Sequence, residues 1–340
     1  MGTTGRLGYA LVGLGRFAEK VVLPGFRGSR KAKLVAVVSG DERKARRLAR
    51  KFGPADIYHY DTYAQCLENP QVEAVYIATN NSTHAEFTVQ AAAAGKHVLC
   101  EKPMATSVAD CDKMIDACRR NHVRLMIAYR KFFEPGALDL KLLVQGGRLG
   151  RLNTIHSSFT VMVRPDVGST AWHFDRRLAG GGALPDVGVY CINTARFVTG
   201  REPVEASAYQ WTNAPEIYKD LDEHIAFRLK FPDGLVMQGS ASWGGEIGSF
   251  LSVSGEKGWA MMAPAFQFAE ERRLYGRIGG RWFEKRYKVM NELALEIDAF
   301  ADCIRRNREP GPNGEQGRRD VAVMEAIYQS AREGKPVKIG

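Results

Sequence analysis

The chain has 340 residues, of which 45% are hydrophobic and 25% charged, and its formal net charge is +10. This length and composition suit a globular protein with two cores and exclude a disordered chain. The basic residues are not interleaved with aromatic ones, and no apolar run approaches the roughly 20 residues that cross a bilayer, so we expect neither a nucleic-acid partner nor a membrane partner.

Cysteine and histidine are dispersed along the sequence, which has six of the first and seven of the second. There is no CxxC pair, no HExxH motif and no cluster with metal-ligand spacing, so we predict reduced thiols and no metal site. An apolar strand pattern begins within ten residues of Met1 and no signal-peptide pattern precedes it, so the expected location is the cytoplasm.

The first part of the chain alternates short apolar runs with helical segments. This alternation predicts βαβ units, hence a parallel, doubly wound sheet and an N-terminal Rossmann domain over residues 1–128. In chain order the predicted elements are YALVGLG, a helix from Arg16, KLVAVVSG, a helix over 42–52, AVYIAT, a helix over 84–94, HVLCEKP, a helix over 108–121 and RLMIAY.

After Tyr129 the pattern changes to longer alternating strands, and the predicted fold class remains α/β. Residues 129–340 are predicted to form an α+β domain with a large, mainly antiparallel open sheet that binds substrate and supports oligomerisation. Its predicted elements are a helix over 134–145, TIHSSFTVMV, the helix GGGALPDVGVYCINTARFV, EHIAFRLKF, LVMQGSASW, FLSVSGEKGWAMM, RWFEKRYKV, a helix over 292–306, a loop over 311–317 and a helix over 318–332.

A glycine-rich turn follows the first strand and opens the first helix. Gly13-Leu14-Gly15-Arg16-Phe17-Ala18 matches GxGxxG/A in that context. Gly13 allows a tight turn, and Gly15 lets a pyrophosphate approach the backbone, where the helix N-terminus offers free N–H groups. We therefore predict a dinucleotide site that includes Gly13, Gly15, Arg16 and Phe17.

The residues that end the second strand predict which dinucleotide binds. In NAD-binding domains a carboxylate here accepts the ribose hydroxyls, but this chain has Ser39-Gly40. The Ser39 hydroxyl can donate to a 2′-phosphate that Arg43 and Lys44 neutralise, which favours NADP. The alternative is that Arg43 and Lys44 are ordinary surface residues of an exposed helix, and that Asp41 allows NAD to bind.

Two further segments carry candidate chemistry. One is Glu101-Lys102-Pro103, and the other is the helix that contains Asp186 and Tyr190. Asp186 and Tyr190 are four residues apart and so share one helix face. We expect the three glycines at 180–182 to leave room for a ligand at the helix entrance.

The segments GLGRFA, EKPMATSVADC, AYR and RRLAGGGALPDVGVYCINTARF together resemble the Gfo/Idh/MocA oxidoreductases, and within them the glucose–fructose oxidoreductase branch. The resemblance implies that Lys102, Asp186 and Tyr190 are catalytic, and that Ser39, Lys44 and Tyr58 contact NADP. It also implies a cis Lys102–Pro103 bond and a homodimer or homotetramer formed through the C-terminal sheet.

The chemistry of these residue types agrees with such a role. Hydride transfer from an alcohol carbon needs a partner that removes the hydroxyl proton, and a neighbouring ammonium favours the phenolate form of a tyrosine. We assign Tyr190 as acid/base, Lys102 as its electrostatic partner and a donor to the substrate oxygen, and Asp186 as the acceptor for a neighbouring sugar hydroxyl.

Other polar and aromatic residues lie where parallel strands end or precede the 180s helix. His84 is expected to make a local hydrogen bond or a cofactor contact rather than to act as a base. The full predicted cofactor set is Gly13, Gly15, Arg16, Phe17, Ser39, Gly40, Arg43, Lys44, Tyr58, Thr79, Asn80, His84, Glu101, Lys102 and Arg130. The predicted substrate set is Lys102, Tyr129, Trp172, Arg176, Asp186 and Tyr190.

These residues predict an NADP-dependent oxidoreductase that acts on an aldose- or ketose-type sugar or polyol, and the resemblance implies a form that keeps its cofactor bound and alternates two sugars. One alternative is a reductase or dehydrogenase with exchangeable NADPH and a ketose-like or diol substrate. An alternative of another class is a non-catalytic NADP sensor or repressor, against which the intact set of Lys102, Asp186 and Tyr190 argues.

Overall fold

The computed structural model describes residues 5–54, 56–165 and 171–340. The chain folds into two compact units. The first unit comprises residues up to 130 together with 291–318, and the second comprises 131–290 together with 319–340. The chain therefore leaves the first unit, forms most of the second, and returns.

The first unit is built on a parallel sheet. Its strands are β1 (Leu7–Val12), β2 (Ala32–Val38), β3 (Asp56–Tyr58), β4 (Ala74–Ile77), β5 (His97–Cys100) and β6 (Leu125–Ile127). Within the described residues their order is β3-β2-β1-β4-β5-β6. All of β1 is buried, as expected for a parallel strand covered on both faces. This confirms the predicted Rossmann architecture, and the short β3 is an addition that the sequence pattern missed.

Helices connect these strands. They are a π-helical turn (Ala18–Val22), α1 (Leu23–Gly28), α2 (Glu42–Phe52), α3 (Tyr63–Glu68), α4 (His84–Ala93) and α5 (Val108–Arg120). The helix predicted from Arg16 begins there, with two α-helical residues that continue into the π-helical turn. The bounds of α2 agree with the prediction because the Asp41 carboxylate accepts the Lys44 N–H at 2.9 Å and Gly53 ends the helix with φ of +90°.

The second unit contains a larger mixed sheet. Its helices are α6 (Pro135–Gln145), α7 (Arg176–Ala179), a π-helical turn (Leu184–Gly188), α8 (Val189–Thr199) and α9 (Pro215–Tyr218). Its strands are β7 (Leu152–Met162), β8 (Glu205–Trp211), β9 (His224–Lys230), β10 (Val236–Ser242), β11 (Gly244–Gly255), β12 (Gly258–Met262), β13 (Arg272–Ile278), β14 (Arg281–Tyr287) and β15 (Val337–Lys338).

In the described part of the chain this sheet has the order β14-β13-β12-β11-β7-β10-β9-β8-β15. The pair β7–β10 is parallel, and every other neighbouring pair is antiparallel. The prediction of a large, mainly antiparallel sheet is confirmed. The sequence analysis missed β8 and β13, whose polar residues interrupt the apolar alternation that marks a strand.

Two helices follow the second sheet's main strands, α10 (Glu292–Arg305) and α11 (Gly314–Glu333). The predicted loop over 311–317 is wrong for its last four residues, because the Asn313 side chain accepts the Gln316 N–H at 3.2 Å and so starts α11 early. No helix within the described ranges combines the length and apolar character needed to cross a bilayer.

The first unit holds α10 closely. A Cβ at Gly25 of α1 would lie 2.7 Å from the Cβ of Leu293, so glycine is needed for this approach. The Asp298 carboxylate accepts hydrogen bonds from the Ser29 hydroxyl and, at 2.9 Å, from the Lys31 N–H. These contacts explain why α10 belongs to the first unit although it follows the second in sequence.

Candidate functional site

Gly13 and Gly15 meet different requirements in the turn that follows β1. Gly13 has φ of +95°, and a Cβ there would lie 2.5 Å from the Ala78 carbonyl oxygen, so the turn itself requires glycine. A Cβ at Gly15 would meet no atom within 4 Å. The backbone at Gly15 is thus open to a ligand, which fits the predicted pyrophosphate contact. Beside it, Arg16 is exposed and Phe17 is half-buried.

At the end of β2 the polar groups form a compact hydrogen-bonded turn. The Ser39 hydroxyl accepts the Asp41 N–H at 3.1 Å, and the Ser39 N–H donates to the Tyr58 carbonyl at 3.0 Å. The Asp41 carboxylate caps α2 through the Lys44 N–H. Asp41 is the residue on which the alternative of NAD binding depends. One of its carboxylate oxygens is therefore already used to cap the helix N-terminus.

Beside Gly40 lies an open, basic cleft of about 970 Å³. Two of its ion pairs join α2 to the π-helical turn after Gly15: Arg47 Nη2 lies 2.9 Å from Glu19 Oε1, and Lys44 Nζ lies 3.7 Å from Glu19 Oε2. Its basic composition suits a phosphate. The charged side chains that line it are Glu19, Asp41, Glu42, Arg43, Lys44, Arg46 and Arg47.

One tyrosine, Tyr58, ends the neighbouring strand β3, and another, Tyr60, follows it. The Tyr58 hydroxyl accepts a hydrogen bond from Asn69 at 3.4 Å, so its predicted cofactor contact stays a prediction. The ring that borders Gly40 is that of Tyr60, whose carbons lie 3.3 Å from where a Gly40 Cβ would be. Sequence reasoning did not single out Tyr60, because nothing in the local pattern shows that its ring turns toward the end of β2.

The loop after β4 is held by short polar contacts. The Thr83 hydroxyl donates to the Thr79 hydroxyl at 2.8 Å, and the Ser82 hydroxyl donates to Asn80 Oδ1 at 2.8 Å. Thr79 and Asn80 are both half-buried. They lie at the carboxyl end of the parallel sheet, the edge at which open α/β sheets bind ligands.

His84 connects this loop to the segment that carries Lys102. The imidazole is fully buried, with Nδ1 3.0 Å from the Pro103 carbonyl and Nε2 3.4 Å from the Thr79 carbonyl. Burial disfavours the charged form and lowers the pKa of His84 to about 4. The neutral ring thus makes the predicted local hydrogen bond and leaves none of its surface exposed for the predicted cofactor contact.

We expect this buried histidine to make the protein less stable in acid. Because the folded-state pKa lies below the unfolded one, the contribution of His84 is fully present above pH 6.5 and is lost as the pH falls toward about 4. The loss amounts to about 3 kcal/mol of unfolding free energy. Urea unfolding across this range should show a steeper decline for the native chain than for His84→Gln.

His59→Gln provides the control, because the His59 side chain is about half exposed. It should keep the pH dependence of the native chain. If His84→Gln also keeps it, the buried neutral imidazole is not the cause of the acid sensitivity.

The Glu101-Lys102-Pro103 segment is fixed by a buried carboxyl group. The Tyr76 hydroxyl donates to Glu101 Oε1 at 2.6 Å, and the Lys102 N–H donates to Glu101 Oε2 at 3.1 Å. Burial raises the pKa of Glu101. The predicted cis Lys102–Pro103 bond is present, and Lys102 is half-buried. Glu101 therefore supports the backbone from which the Lys102 side chain extends.

Tyr129 and Arg130, predicted to contact substrate and cofactor respectively, follow β6. Both are almost completely buried, with 3% and 2% of the residue surface exposed. The Arg130 guanidinium forms an ion pair with Glu292 at the start of α10. This contact gives Arg130 a role in holding the returning helix against the first unit.

In the second unit the glycine triplet does not leave space for a ligand, contrary to the prediction. A Cβ at Gly181 would lie 1.9 Å from the Tyr328 hydroxyl, and a Cβ at Gly182 would lie 2.3 Å from the Asp222 carbonyl oxygen. Gly180 ends α7 with φ of +81°. The triplet is explained by close packing and by a left-handed helix end.

Asp222 holds the entrance of the helix that carries Asp186 and Tyr190. Its carboxylate accepts the Gly182 N–H at 2.7 Å, the Leu184 N–H at 2.8 Å and the Tyr328 hydroxyl at 2.6 Å. Asp222 is 1% exposed. One carboxylate therefore satisfies three donors at the point where the chain enters the π-helical turn.

Asp186 lies within that turn, and its carboxylate is held from the sheet side. The Trp243 indole N–H, on a fully buried side chain, donates to Asp186 Oδ2 at 2.9 Å. Tyr190, in the first turn of α8, is 9% exposed, and its ring centroid lies 5.6 Å from that of Phe159 and 5.7 Å from that of Phe266. Rigid neighbours thus orient both side chains.

The segment before α7 packs against Trp243, the residue that holds Asp186. The Trp172 ring stacks on His173 with centroids 3.8 Å apart, and His173 meets Trp243 edge-to-face at 6.4 Å. Arg176 donates to the Asp220 carbonyl at 2.7 Å and lies over the Tyr328 ring. Within the second unit, Trp172 therefore lies near Trp243, which binds the Asp186 carboxylate. Arg176 contacts residues at the entrance of the helix that carries Asp186.

Sequence reasoning missed Glu19, Asp222, Trp243 and Tyr328 among the residues that shape these sites. Each acts on a partner more than 20 residues away in the chain. No local motif links them to the residues they hold, and the glycine triplet was the one available signal that something packs closely at the helix entrance.

Known proteins that match this chain agree with the geometry. A family model for an oxidoreductase family with an NAD-binding Rossmann fold matches residues 7–129, and one for the GFO/IDH/MocA C-terminal domain matches residues 137–261. A D-xylose 1-dehydrogenase (NADP(+)) of Haloarcula marismortui is 28% identical over 97% of this chain and 92% of its own length.

Two further matches span nearly the whole chain. The dTDP-3,4-didehydro-2,6-dideoxy-alpha-D-glucose 3-reductase of Saccharopolyspora spinosa is 30% identical over 95% of this chain and 97% of its own. The crystal structure of aldose-aldose oxidoreductase from Caulobacter crescentus, complexed with glycerol, superposes with a TM-score of 0.92 at 36% identity, covering 98% and 99% of the two chains. The chain therefore belongs to the Gfo/Idh/MocA oxidoreductase family, with an NAD(P)-binding Rossmann domain as its first unit.

Proposed function

We propose that the protein is an NADP-dependent oxidoreductase that transfers hydride between nicotinamide and a carbon of an aldose- or ketose-type sugar. In this proposal the first unit binds the dinucleotide, and the second binds the sugar. The substrate class is supported by the matching proteins whose names include xylose, a hexose derivative and an aldose.

One observation carries the preference for NADP. Lys44 and Arg47 face an open cleft beside Gly40, while the neighbouring Asp41 carboxylate caps the helix N-terminus. A 2′-phosphate would find two cations there, whereas the carboxylate that could accept the ribose hydroxyls of NAD, that of Asp41, already uses one oxygen to cap α2. The open backbone at Gly15 fits the pyrophosphate of either dinucleotide.

The proposed chemistry divides among three residues. Tyr190 accepts the proton of the sugar hydroxyl while a hydride leaves the carbon that bears this hydroxyl. In the reverse direction Tyr190 returns the proton. Lys102 donates to the substrate oxygen, and Asp186 accepts a hydrogen bond from a neighbouring sugar hydroxyl. The nicotinamide, when bound, supplies the hydride acceptor. The Trp243 N–H keeps the Asp186 carboxylate in one orientation, which supports a positioning role toward substrate.

A retained cofactor that alternates between two sugars is the form of this reaction that we favour. The name of the Caulobacter crescentus protein, an aldose-aldose oxidoreductase, supports it at 36% identity over nearly the whole chain. Turnover with exchangeable NADPH is the competing form.

The test is to purify the protein without added nucleotide and record the absorbance band of reduced nicotinamide. Addition of an aldose should increase this band, and a second sugar should then remove it, without free NADP at any stage. Turnover that requires added NADPH would contradict retention of the cofactor. No turnover with either nucleotide, despite binding of NADP, would support a sensor and overturn the proposed enzyme function.

We also propose a homo-oligomer formed through the open face of the second unit's sheet. Helices α6 and α8 pack on one face, and the strand register places two groups of aromatic residues on the other, one on β8 and one on β12 to β14. Exposed apolar area of this kind is typical of subunit interfaces. The aromatic side chains are Tyr209, Trp211, Trp259, Tyr275 and Trp282.

Light scattering should give a mass above that of one chain, and the double variant Tyr209→Glu, Trp282→Glu should lower it. The two residues are 69% and 60% exposed, so the changes leave the core intact. A monomeric native protein would contradict this part of the proposal.

A further inference from the structure

The basic cleft beside Gly40 contains one acidic side chain from another element. Glu19 belongs to the π-helical turn that follows the glycine-rich segment, and its carboxylate contacts Arg47 at 2.9 Å and Lys44 at 3.7 Å. Partial burial opposes its charge, but hydrogen bonding and attraction from Arg47 and Lys44 lower the pKa of Glu19 below its usual value. Glu19 is therefore an anion that already contacts two of the four basic side chains that line the cleft.

The other acidic side chain paired in this cleft is arranged differently. Glu42 pairs with Arg46 four residues along the same helix, and about two thirds of each side chain is exposed. Such a pair changes little when a ligand enters, because both groups stay solvated. The side chains of Glu19 and Lys44 are only 27% and 22% exposed. The Glu19–Lys44 contact is thus better shielded than the Glu42 pair, whereas the Arg47 side chain, in the closer contact to Glu19, is 54% exposed.

We propose that Glu19 is a specificity-determining residue whose carboxylate competes with the ligand's 2′-phosphate for Lys44 and Arg47. This inference rests on the proposed NADP function. A phosphate and a carboxylate accept hydrogen bonds from the same donors, and two anions within a few ångströms repel each other. Glu19 therefore restrains affinity for a 2′-phosphorylated ligand and leaves affinity for the unphosphorylated one unchanged.

The test compares two small probes, 2′,5′-ADP and 5′-AMP, by calorimetric titration of the full-length protein after any retained nucleotide has been removed. Glu19→Gln keeps the shape of the side chain and removes its charge. We expect 2′,5′-ADP to bind roughly three- to tenfold more tightly to Glu19→Gln than to the native chain. Binding of 5′-AMP should stay unchanged, and the gain for 2′,5′-ADP should shrink as salt is raised.

Glu42→Gln is the matched control, because it removes the same charge from the same cleft without touching Lys44 or Arg47. Its effect on 2′,5′-ADP should be smaller than that of Glu19→Gln. An equal effect would mean that net charge alone acts, which would overturn the specific role of Glu19. Glu19→Asp, which withdraws the carboxylate by one methylene, should bind 2′,5′-ADP with intermediate affinity and provides a second test if Glu19→Gln folds poorly.

The outcomes separate this inference from the function on which it rests. If the native chain binds 2′,5′-ADP no better than 5′-AMP, the proposed NADP preference fails. If the native chain prefers 2′,5′-ADP and Glu19→Gln binds it equally or more weakly, then Glu19 organises the cations instead of competing for them, and only the present inference fails.

Discussion

Tyr190→Phe is expected to lower turnover with a sugar substrate by roughly 10²- to 10⁴-fold, the range typical when an acid/base group is removed. The substitution deletes one hydroxyl and keeps the ring. Its packing against Phe159 and Phe266 should therefore persist, and α8, in which every residue is buried, should stay folded. Steady-state and single-turnover rates would measure the loss.

Nucleotide binding provides the accompanying control, because the proposed dinucleotide residues belong to the first unit and Tyr190 to the second. Once any retained nucleotide has been removed, titration with NADP should give the same affinity in native chain and variant. Tyr209→Phe, at an exposed position on β8, should leave the rate unchanged. A native rate in Tyr190→Phe would remove this hydroxyl from the mechanism.

Asp222→Ala is expected to reduce the free energy of unfolding by about 3–5 kcal/mol. The change leaves three buried donors without their acceptor: the Gly182 N–H, the Leu184 N–H and the Tyr328 hydroxyl. Each orphaned donor costs about 1–3 kcal/mol. Urea unfolding followed by tryptophan fluorescence would measure the loss.

Two variants sharpen this test. Asp222→Asn keeps the size of the side chain but turns an amide donor toward at least one of the three donors, so we expect an intermediate loss of stability. Asp220→Asn, two residues earlier and exposed, should behave like the native chain. If Asp222→Ala is as stable as Asp220→Asn, the three hydrogen bonds do not hold the helix entrance.

The sequence predicted those parts of the fold whose signals are local. Helix α2 has a capping aspartate and a terminal glycine within one stretch, and its bounds agree with the prediction. The strand β3 has three residues, too few for any periodicity to show. Helix α11 begins inside a glycine-rich segment because Asn313 caps it, whereas the glycines there are typical of a loop.

The candidate site shows the same division. Gly13, Gly15 and the EKP segment are recognisable because each motif is continuous in sequence. The glycine triplet predicted the wrong cause, because Asp222 and Tyr328 reach it from about 40 and 150 residues away. Glu19 resembles an ordinary helix residue until its contacts with Lys44 and Arg47 are seen. Contacts between residues far apart in sequence therefore determine the surroundings of the motif residues, which the motifs alone do not predict.

The return of α10 to the first unit has a consequence for how the protein is made. During synthesis, residues up to 130 leave the ribosome long before Leu293 and Asp298, which cover Gly25 and accept the Lys31 N–H. Until then the Arg130 guanidinium cannot pair with Glu292. An isolated N-terminal fragment would lack this buried ion pair and leave α1 uncovered, so dinucleotide-binding competence should arrive late in translation.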